Sequence, residues 1–239
     1  TNQDRRLRAS QQAQDYPVIS RDGAWVAFRE LQAPKVPIFL ARTQSEQVYM
    51  VHEDAGAPQS WSPDGRYLLF EPGATIAFVG RLDVPSKQTE VFLTHPEYSL
   101  RGAQYSPDGK WIAFHAETGR EQRRIYIARS DRGTLPREWI GVTDGEGFEV
   151  NPHWSPDGNL LYFVDETGGR RTIAAQRLEA ATKRPVGRPV PVFDPKSARR
   201  SLLRLTRSRV GAIGPVITRE RVWFSMDEQI GDVYFAPLP

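Results

Sequence analysis

Four aspartates recur inside one short motif, and they are the first residues of this chain whose type and spacing could do chemistry. The motif reads WSPDG or YSPDG in three copies and ISRDG in a weaker first copy. Carboxylates can bind calcium, but a calcium site needs several oxygens around one ion. The copies recur about every 40 to 50 residues, which spreads the carboxylates around the fold. We therefore predict a structural role for the turn residues Asp22, Gly23, Asp64, Gly65, Asp108, Gly109, Asp157 and Gly158.

The letters Ser-Pro-Asp-Gly suit a four-residue turn. Pro presets φ at the second position, Asp is tolerated at the third and bonds to nearby backbone, and Gly takes the left-handed conformation at the fourth. We predict that each copy joins the innermost strand of a repeat to its second strand. The aromatic residue before the turn is predicted to pack between neighbouring repeats, and it is Trp61, Tyr105 or Trp154 in the three full copies.

The segments around each motif predict strands and not helices. The motifs are followed by AWVAF, RYLLF, KWIAF and NLLYF, and further short apolar segments follow after polar loops. Four strands per repeat is the content of a propeller blade. The predicted fold is therefore all-β, a β-propeller of four-stranded antiparallel blades. It is either closed as five blades or part of a ring of six to eight blades.

The repeats divide the chain as a single domain over residues 1–239. A candidate closing strand precedes the first repeat, and a basic insertion precedes the last one. The predicted segments are repeats at about 16–51, 58–93, 102–142, 150–194 and 211–239, the closing strand at 1–10 and the insertion at 195–210.

The repeated [WY]SPDG with "WIAF" and "IYIA" after it resembles the TolB-like, WD-repeat-like β-propeller family, over 16–193 and more weakly over 217–238. The tail VWFSMDEQIGDVYFAPL is similar to the closing blade of multidomain bacterial regulators, with Asp232 and Tyr234 where Asn and Trp are commoner. The resemblance implies a periplasmic, extracytoplasmic propeller in a longer bacterial protein. It also implies protein partners, whose peptide segments enter the central channel.

Catalytic motifs are absent from the sequence. There is no G-x-S-x-G and no phosphate loop, and GEGFEV has Val150 where a dinucleotide fingerprint needs its third glycine. The chain has no cysteine, and its four histidines lack metal-ligand spacing. We predict no enzyme activity, no cofactor and no metal-binding residue, with calcium as the cation that the carboxylates would suit. The alternatives are a propeller lyase or hydrolase with a channel-bound divalent cation, and the accessory propeller of a prolyl-oligopeptidase-type peptidase.

One edge of the predicted propeller collects acidic loops. Loops that join outer to inner strands open on the same edge as loops that join second to third strands, and loops on a rigid scaffold are where binding residues concentrate. This rim is interpreted as a solvated acidic surface, a platform for a basic peptide or cation, or a catalytic carboxylate pair. Its acidic residues are Glu53, Asp54, Glu97, Asp144, Glu146, Glu149, Asp165 and Glu166. The residues predicted to bind a partner are Glu97, Tyr98, Phe148, Glu149 and His153.

Charge is uneven along a chain whose net charge is +3. Residues 183–209 are rich in Lys and Arg, with Asp194 as their single acid and Phe193 as their single aromatic residue. This stretch is interpreted as a solvated connection or as a docking patch for an acidic partner, and part of it is predicted to fold over the acidic rim. Nucleic-acid binding usually needs interleaved aromatic residues, so no nucleic-acid contact is predicted. No apolar run is long enough for a membrane span. The leading function is a non-catalytic binding or sensing module for a protein or peptide.

Overall fold

The computed structural model of the chain describes residues 12–31, 35–45, 47–72, 77–117, 122–131, 134–167, 170–193, 200–202, 216–217, 222–223 and 226–228. These residues form short strands and one 3₁₀ turn at Pro136–Glu138. The strands are β1 (Gln14–Ile19), β2 (Trp25–Glu30), β3 (Ile38–Arg42), β4 (Val48–His52), β5 (Ala57–Trp61), β6 (Tyr67–Glu71), β7 (Val79–Asp83), β8 (Gln88–Leu93), β9 (Ser99–Tyr105), β10 (Trp111–Glu117), β11 (Arg123–Arg129), β12 (Ile140–Gly141), β13 (Phe148–Trp154), β14 (Leu160–Thr167), β15 (Arg170–Arg177), β16 (Val190–Phe193), β17 (Arg200–Leu202), β18 (Val216–Ile217), β19 (Val222–Trp223) and β20 (Met226–Glu228).

Four antiparallel units of four strands follow one another along the chain, as the sequence predicts. We call β1–β4 blade 1, β5–β8 blade 2, β9–β12 blade 3 and β13–β16 blade 4. Blades 3 and 4 are joined by one parallel pair, Arg123 with Phe148. The first strands β1, β5, β9 and β13 contact one another in that order. They are therefore the inner strands, and the later strands of each blade lie progressively farther out.

The apolar core lies between blades, because each middle strand is buried on both faces. In β10, Trp111 and Ala113 pack towards blade 4, whereas Ile112 and Phe114 pack towards blade 2. Alternate side chains of a strand point to opposite faces, so one strand contributes to two cores. The predicted aromatic packing is confirmed. Three cores join the aromatic residue of a motif to a Phe of the next strand, in the pairs Trp61 with Phe70, Tyr105 with Phe114, and Trp154 with Phe163.

The two motif tryptophans also bond to the preceding blade. Trp61 Nε1 donates to the Val18 carbonyl and Trp154 Nε1 to the Gln104 carbonyl, each over 3.1 Å. Tyr105 occupies the equivalent place in blade 3, where its backbone N–H donates to Ser60 Oγ over 3.1 Å. Hydrogen bonds thus link the inner strands of neighbouring blades. A motif tryptophan is the donor in two of these bonds, and Ser60 of blade 2 is the acceptor in the third.

The motif turns have the predicted conformation and bond within themselves. In the third copy, Ser106 Oγ donates to Asp108 Oδ1 over 2.6 Å and accepts the Trp111 N–H over 3.0 Å. The same carboxylate accepts the Lys110 N–H over 3.1 Å, and the Gly109 N–H donates to the Ser106 carbonyl over 2.9 Å. The other three copies repeat these bonds, and all four motif glycines have φ between 70° and 72°. The four aspartates are therefore committed to the turns.

The chain after blade 4 is described at four short strands. β18 pairs with β19 as an antiparallel hairpin, and β17 pairs with β20. The candidate closing strand at 1–10 lies outside the described residues, as does most of the repeat at 211–239 and of the insertion at 195–210. Within that insertion, residues 200–202 pair with 226–228. The rest of the hypothesis that the basic stretch covers the acidic rim falls on residues that are not described.

One predicted strand is shorter than expected. The segment REWIGV (137–142) is one of the short apolar segments predicted to form strands, but its first residues lie in the 3₁₀ turn, and β12 covers Ile140 and Gly141 alone. Pro136 begins this turn, and the Glu138 carboxylate accepts the Leu135 N–H over 3.1 Å. Proline fixes φ near the helical range and lacks an N–H for a sheet ladder, so the strand begins later. No described helix is long and apolar enough to cross a membrane.

Candidate functional site

The two edges of the blades differ in their chemistry. The motif turns lie at the edge where inner strands end, and we call it the motif edge. Inner strands begin at the opposite edge, where second strands end and third strands begin. We call this the loop edge, and it carries the rim that the sequence predicts to bind a partner.

A chain of alternating charges crosses the loop edge from blade 2 to blade 3. Glu71 ends β6 and forms an ion pair with Arg101 of β9. Arg101 Nε lies 3.4 Å from Glu117 Oε1 at the end of β10, and Arg123 Nη2 of β11 lies 3.1 Å from the same oxygen. We call Glu71, Arg101, Glu117 and Arg123 the charge chain. Their side chains are 14% to 34% exposed. The pairs are therefore partly shielded from water, and this shielding strengthens the attraction between the charges.

Blade 1 contributes a second buried pair at the same edge. Arg29 donates to both oxygens of Asp15, over 2.5 and 2.9 Å. The Arg29 guanidinium also lies 4.3 Å from the centre of the Tyr16 ring, and Tyr16 has a φ of 53°. Burial raises the pKa of Glu71, and the nearby positive charges of Arg101 and Arg29 oppose that shift. The blade 1 pair is therefore electrostatically coupled to the charge chain.

Blade 4 places an aromatic ring and a buried acid beside the charge chain. The Arg123 guanidinium lies 4.9 Å from the centre of the Phe148 ring. Glu149, the next residue, is 6% exposed and accepts a hydrogen bond from Thr143 Oγ1 over 2.8 Å. Burial raises the pKa of Glu149 to about 7, and the negative charges of Asp144 and Asp165 add to the shift. A buried acid whose pKa is shifted in this way is a candidate functional group.

A buried histidine lies under the charge chain. His115 of β10 is 5% exposed, and burial lowers its pKa to about 3, helped by the charges of Arg123 and Arg101. Its Nδ1 has no hydrogen-bond partner among the described residues. Gly102 lies next to it with a φ of 64°, and a Cβ there would come within 3.0 Å of Nδ1. The glycine therefore makes room for a neutral imidazole.

The predicted site residues fall into separate places. Phe148 lies beside Arg123 of the charge chain, and Glu149 follows it in β13. Tyr98 instead stacks on His95 with ring centres 4.0 Å apart, and the Glu97 N–H donates to His95 Nδ1. This pair packs towards the core between blades 2 and 3. His153 is half-buried in β13, where burial lowers its pKa to about 4.

Two residues of the acidic rim have bonding partners within blade 1. Glu53 pairs with Lys35 over 2.6 Å, and Asp54 accepts the Val36 N–H over 3.3 Å. Arg101 and Arg123 were not among the predicted site residues, because the prediction considered loops and both arginines lie within strands. A signal for them exists in the sequence. Both are cations near the starts of strands, and nearby strands end in the acids Glu71 and Glu117.

The part of the chain that the structure describes contains no set of side chains that could bind a catalytic metal ion. No three His, Asp or Glu side chains come together there in a group that could hold a metal ion. The sign that would favour the cation-dependent enzyme, namely His and carboxylates from three blades meeting at the channel, is not seen among those residues. The loop edge can therefore offer charge, hydrogen bonds and one aromatic face to a partner.

Known proteins match parts of this chain, although no protein-family model does. An uncharacterized protein of Agrobacterium fabrum is 32% identical over 130 residues, which cover 49% of this chain and 42% of that protein. In structure, TolB from Acinetobacter baumannii matches with a TM-score of 0.64 at 20% identity, over 79% of this chain and 45% of TolB. A puromycin-hydrolyzing peptidase of Mycobacterium tuberculosis matches with a TM-score of 0.63 at 17% identity, over 81% of this chain and 32% of the peptidase.

These likenesses agree with the motif and the blades. The chain spans less than half the length of each of the three proteins. Structural likeness at such low identity speaks for the fold alone. With the four-stranded antiparallel blades and the repeated turn, the chain is a structural match to the TolB-like β-propeller domains.

Proposed function

We propose that this chain is a non-catalytic binding module, which holds a protein or peptide partner at the loop edge of a TolB-like propeller. The observation that carries the proposal is the charge chain. Four half-buried charged side chains from two blades pair there in alternation. Partly buried charges are costly to maintain and weak as a source of stability, so their presence favours a role in recognition.

The chemistry of the site suits a polar peptide. Arg101 and Arg123 offer planar donors, which suit carboxylates and peptide carbonyls. Glu71 and Glu117 offer acceptors for N–H groups and basic side chains, and Phe148 adds an apolar face beside Arg123. A segment of extended peptide presents the complementary donors and acceptors along its length. Such a ligand can exchange the pairs within the charge chain for pairs with itself.

The charge chain is tested with peptides selected from a displayed random library on the purified chain. Arg123→Ala and Arg101→Ala are expected to weaken binding of the selected peptides at least tenfold, about 1.4 kcal/mol. Arg129→Ala is the matched control, because Arg129 lies at the other end of β11, pairs with Asp131 over 3.2 Å and lies over the Trp111 ring at 4.9 Å. Equal affinity for all four proteins would place binding elsewhere, and failure to select any peptide would count against a peptide ligand.

A second candidate is an accessory propeller beside a catalytic domain. The structural match to a puromycin-hydrolyzing peptidase, of which this chain spans about a third, supports this candidate. If this candidate is right, a longer protein that contains this propeller hydrolyses an aminoacyl chromogenic substrate, whereas this chain alone does not. An inactive longer protein would remove this candidate.

The compartment is part of the same proposal. A TolB-like binding propeller in a bacterium is expected to act outside the cytoplasm. A fusion to alkaline phosphatase, which is active only after export, tests this in a bacterial host. An inactive fusion to the longer protein would argue for a cytoplasmic module. The comparisons offer no support for the regulatory context that the tail sequence suggests.

A further inference from the structure

The motif turns of neighbouring blades pack against each other through proline and glycine. A Cβ on Gly109 of blade 3 would lie 3.2 Å from Cδ of Pro63 in blade 2. A Cβ on Gly158 of blade 4 would lie 3.7 Å from Cδ of Pro107 in blade 3. Each proline thus covers the glycine of the next turn. The turns form a continuous arc at the motif edge.

The first copy of the motif breaks this arc. It has Arg21 where the other copies have proline. Gly65, which a proline of blade 1 would cover, has nothing within 4 Å of a Cβ in the part of the chain described here. Arg21 instead extends to blade 3, where its Nη1 donates to the Pro107 carbonyl over 2.8 Å. This bond joins two turns that are not neighbours.

The path of Arg21 follows from the order of the blades. Inner strands β1, β5 and β9 contact one another in sequence, and in a propeller they curve around the central channel. A straight line from the blade 1 turn to the blade 3 turn passes on the concave side of the arc, between the blade 2 turn and the channel axis. The Arg21 side chain therefore lies over the channel side of the blade 2 turn.

We propose that Arg21 is a latch that narrows the motif-edge mouth of the channel, so that a partner reaches the channel from the loop edge. The exposed guanidinium holds the blade 3 turn through one charge-assisted hydrogen bond, which is weak enough to open. Arg21 stands where the other copies have proline. The longer side chain can reach blade 3, and the proline that would pack on Gly65 of the next turn is missing. The direction of entry rests on the proposed binding function, whereas the latch itself does not.

The latch can be tested without a ligand, because the chain has no cysteine. Gln59 and Gln104 lie on the inner strands β5 and β9, and both are half-exposed. Water that reaches an innermost strand is channel water, so Gln59→Cys reports access to the channel. Its rate of reaction with a bulky maleimide is compared with Arg21 intact, in Arg21→Ala and in Arg21→Pro. Gln104→Cys is the second reporter, in case the first variant folds poorly.

Both substitutions of Arg21 are expected to raise the labelling rate about fivefold, the effect of losing one net hydrogen bond. Arg66→Ala is the matched control, because Arg66 is exposed at the same edge but pairs within its own blade, with Asp83 over 3.0 Å. It should leave labelling unchanged. Rates that do not respond to Arg21, or that respond equally to Arg66, would overturn the latch. If the latch opens but selected peptides bind regardless of the charge chain, the proposed function fails and the latch stands.

Discussion

The motif edge and the loop edge use the same strands in opposite ways. At the motif edge, all four blades repeat one set of bonds, with Ser-to-Asp distances of 2.5 to 2.6 Å in every copy. At the loop edge, equivalent positions differ: the place of Arg101 in β9 is taken by Asp15 in β1 and by Val150 in β13. The repeated bonds therefore belong to the fold, and the positions that differ between blades are the ones that we propose to bind a partner.

The two edges also differ in how their carboxylates are stabilised. Motif aspartates bond to hydroxyl and N–H groups within their own turn, and these bonds lower the pKa of Asp22, Asp64 and Asp157. Loop-edge acids pair with cations on other strands, as Glu71 does with Arg101 of the next blade, or are buried with a raised pKa, as Glu149 is. The first arrangement stabilises a turn at any ordinary pH. The second makes the loop edge sensitive to pH and to charged partners.

The largest effect on stability is expected at the motif edge. Ser106→Ala removes the hydroxyl that donates to Asp108 and accepts the Trp111 N–H. It leaves a buried N–H unpaired, so the free energy of unfolding should fall by about 2 to 4 kcal/mol. Urea unfolding measures this, with the exposed turn residue Ser86→Ala as control. Peptide binding at the loop edge should not change; a loss of affinity in the folded variant would show that the two edges are coupled.

A smaller and pH-dependent effect is expected at Glu149. Because the pKa of its carboxyl rises from 4.5 to about 7 on folding, the folded protein holds the proton more tightly than the unfolded chain. The stability that this proton supplies is present below the ordinary pKa and is lost as the pH rises through 7. Glu149→Gln stays neutral at every pH. At pH 8 its free energy of unfolding should therefore be about 1 to 2 kcal/mol higher than that of the natural chain.

The same pair of proteins should differ little at pH 5. Chemical unfolding at both pH values tests this, with Glu97→Gln as the control for an exposed carboxylate. An equal change at both pH values would mean that the substitution acts through packing and not through ionisation.

The smallest effect on stability is expected in the charge chain. Arg101→Ala removes ion pairs in which the arginine is about one third exposed. Glu71, which loses this partner, can take up a proton, because burial already raises the pKa of its carboxyl. We therefore expect a loss of about 1 kcal/mol. The melting temperature should therefore stay close to that of the natural chain while binding of selected peptides falls. If Arg101→Ala were to unfold the protein instead, the charge chain would be a structural element, and the contrast between the two edges would fail.

Much of the fold could be predicted from the residues. The turns, the order of strands and the packing of Trp154 with Phe163 all follow from a repeated local pattern. The same binding role was, however, predicted for Glu97, which is exposed, and for Glu149, which is buried. Their burial differs because Glu149 lies inside β13, where Thr143 of the preceding loop donates to its carboxylate, whereas Glu97 precedes β9.

The residues by themselves determined the features whose partners lie close in sequence. A motif turn closes through bonds between residues no more than five apart, as between Ser106 and Trp111, so its letters suffice to specify it. The tertiary structure decided the rest. Glu71 meets Arg101 and Arg21 meets Pro107 across 30 and 86 residues. Which charges meet depends on the order and spacing of the blades around the axis, because a side chain reaches only a few ångströms beyond its own strand.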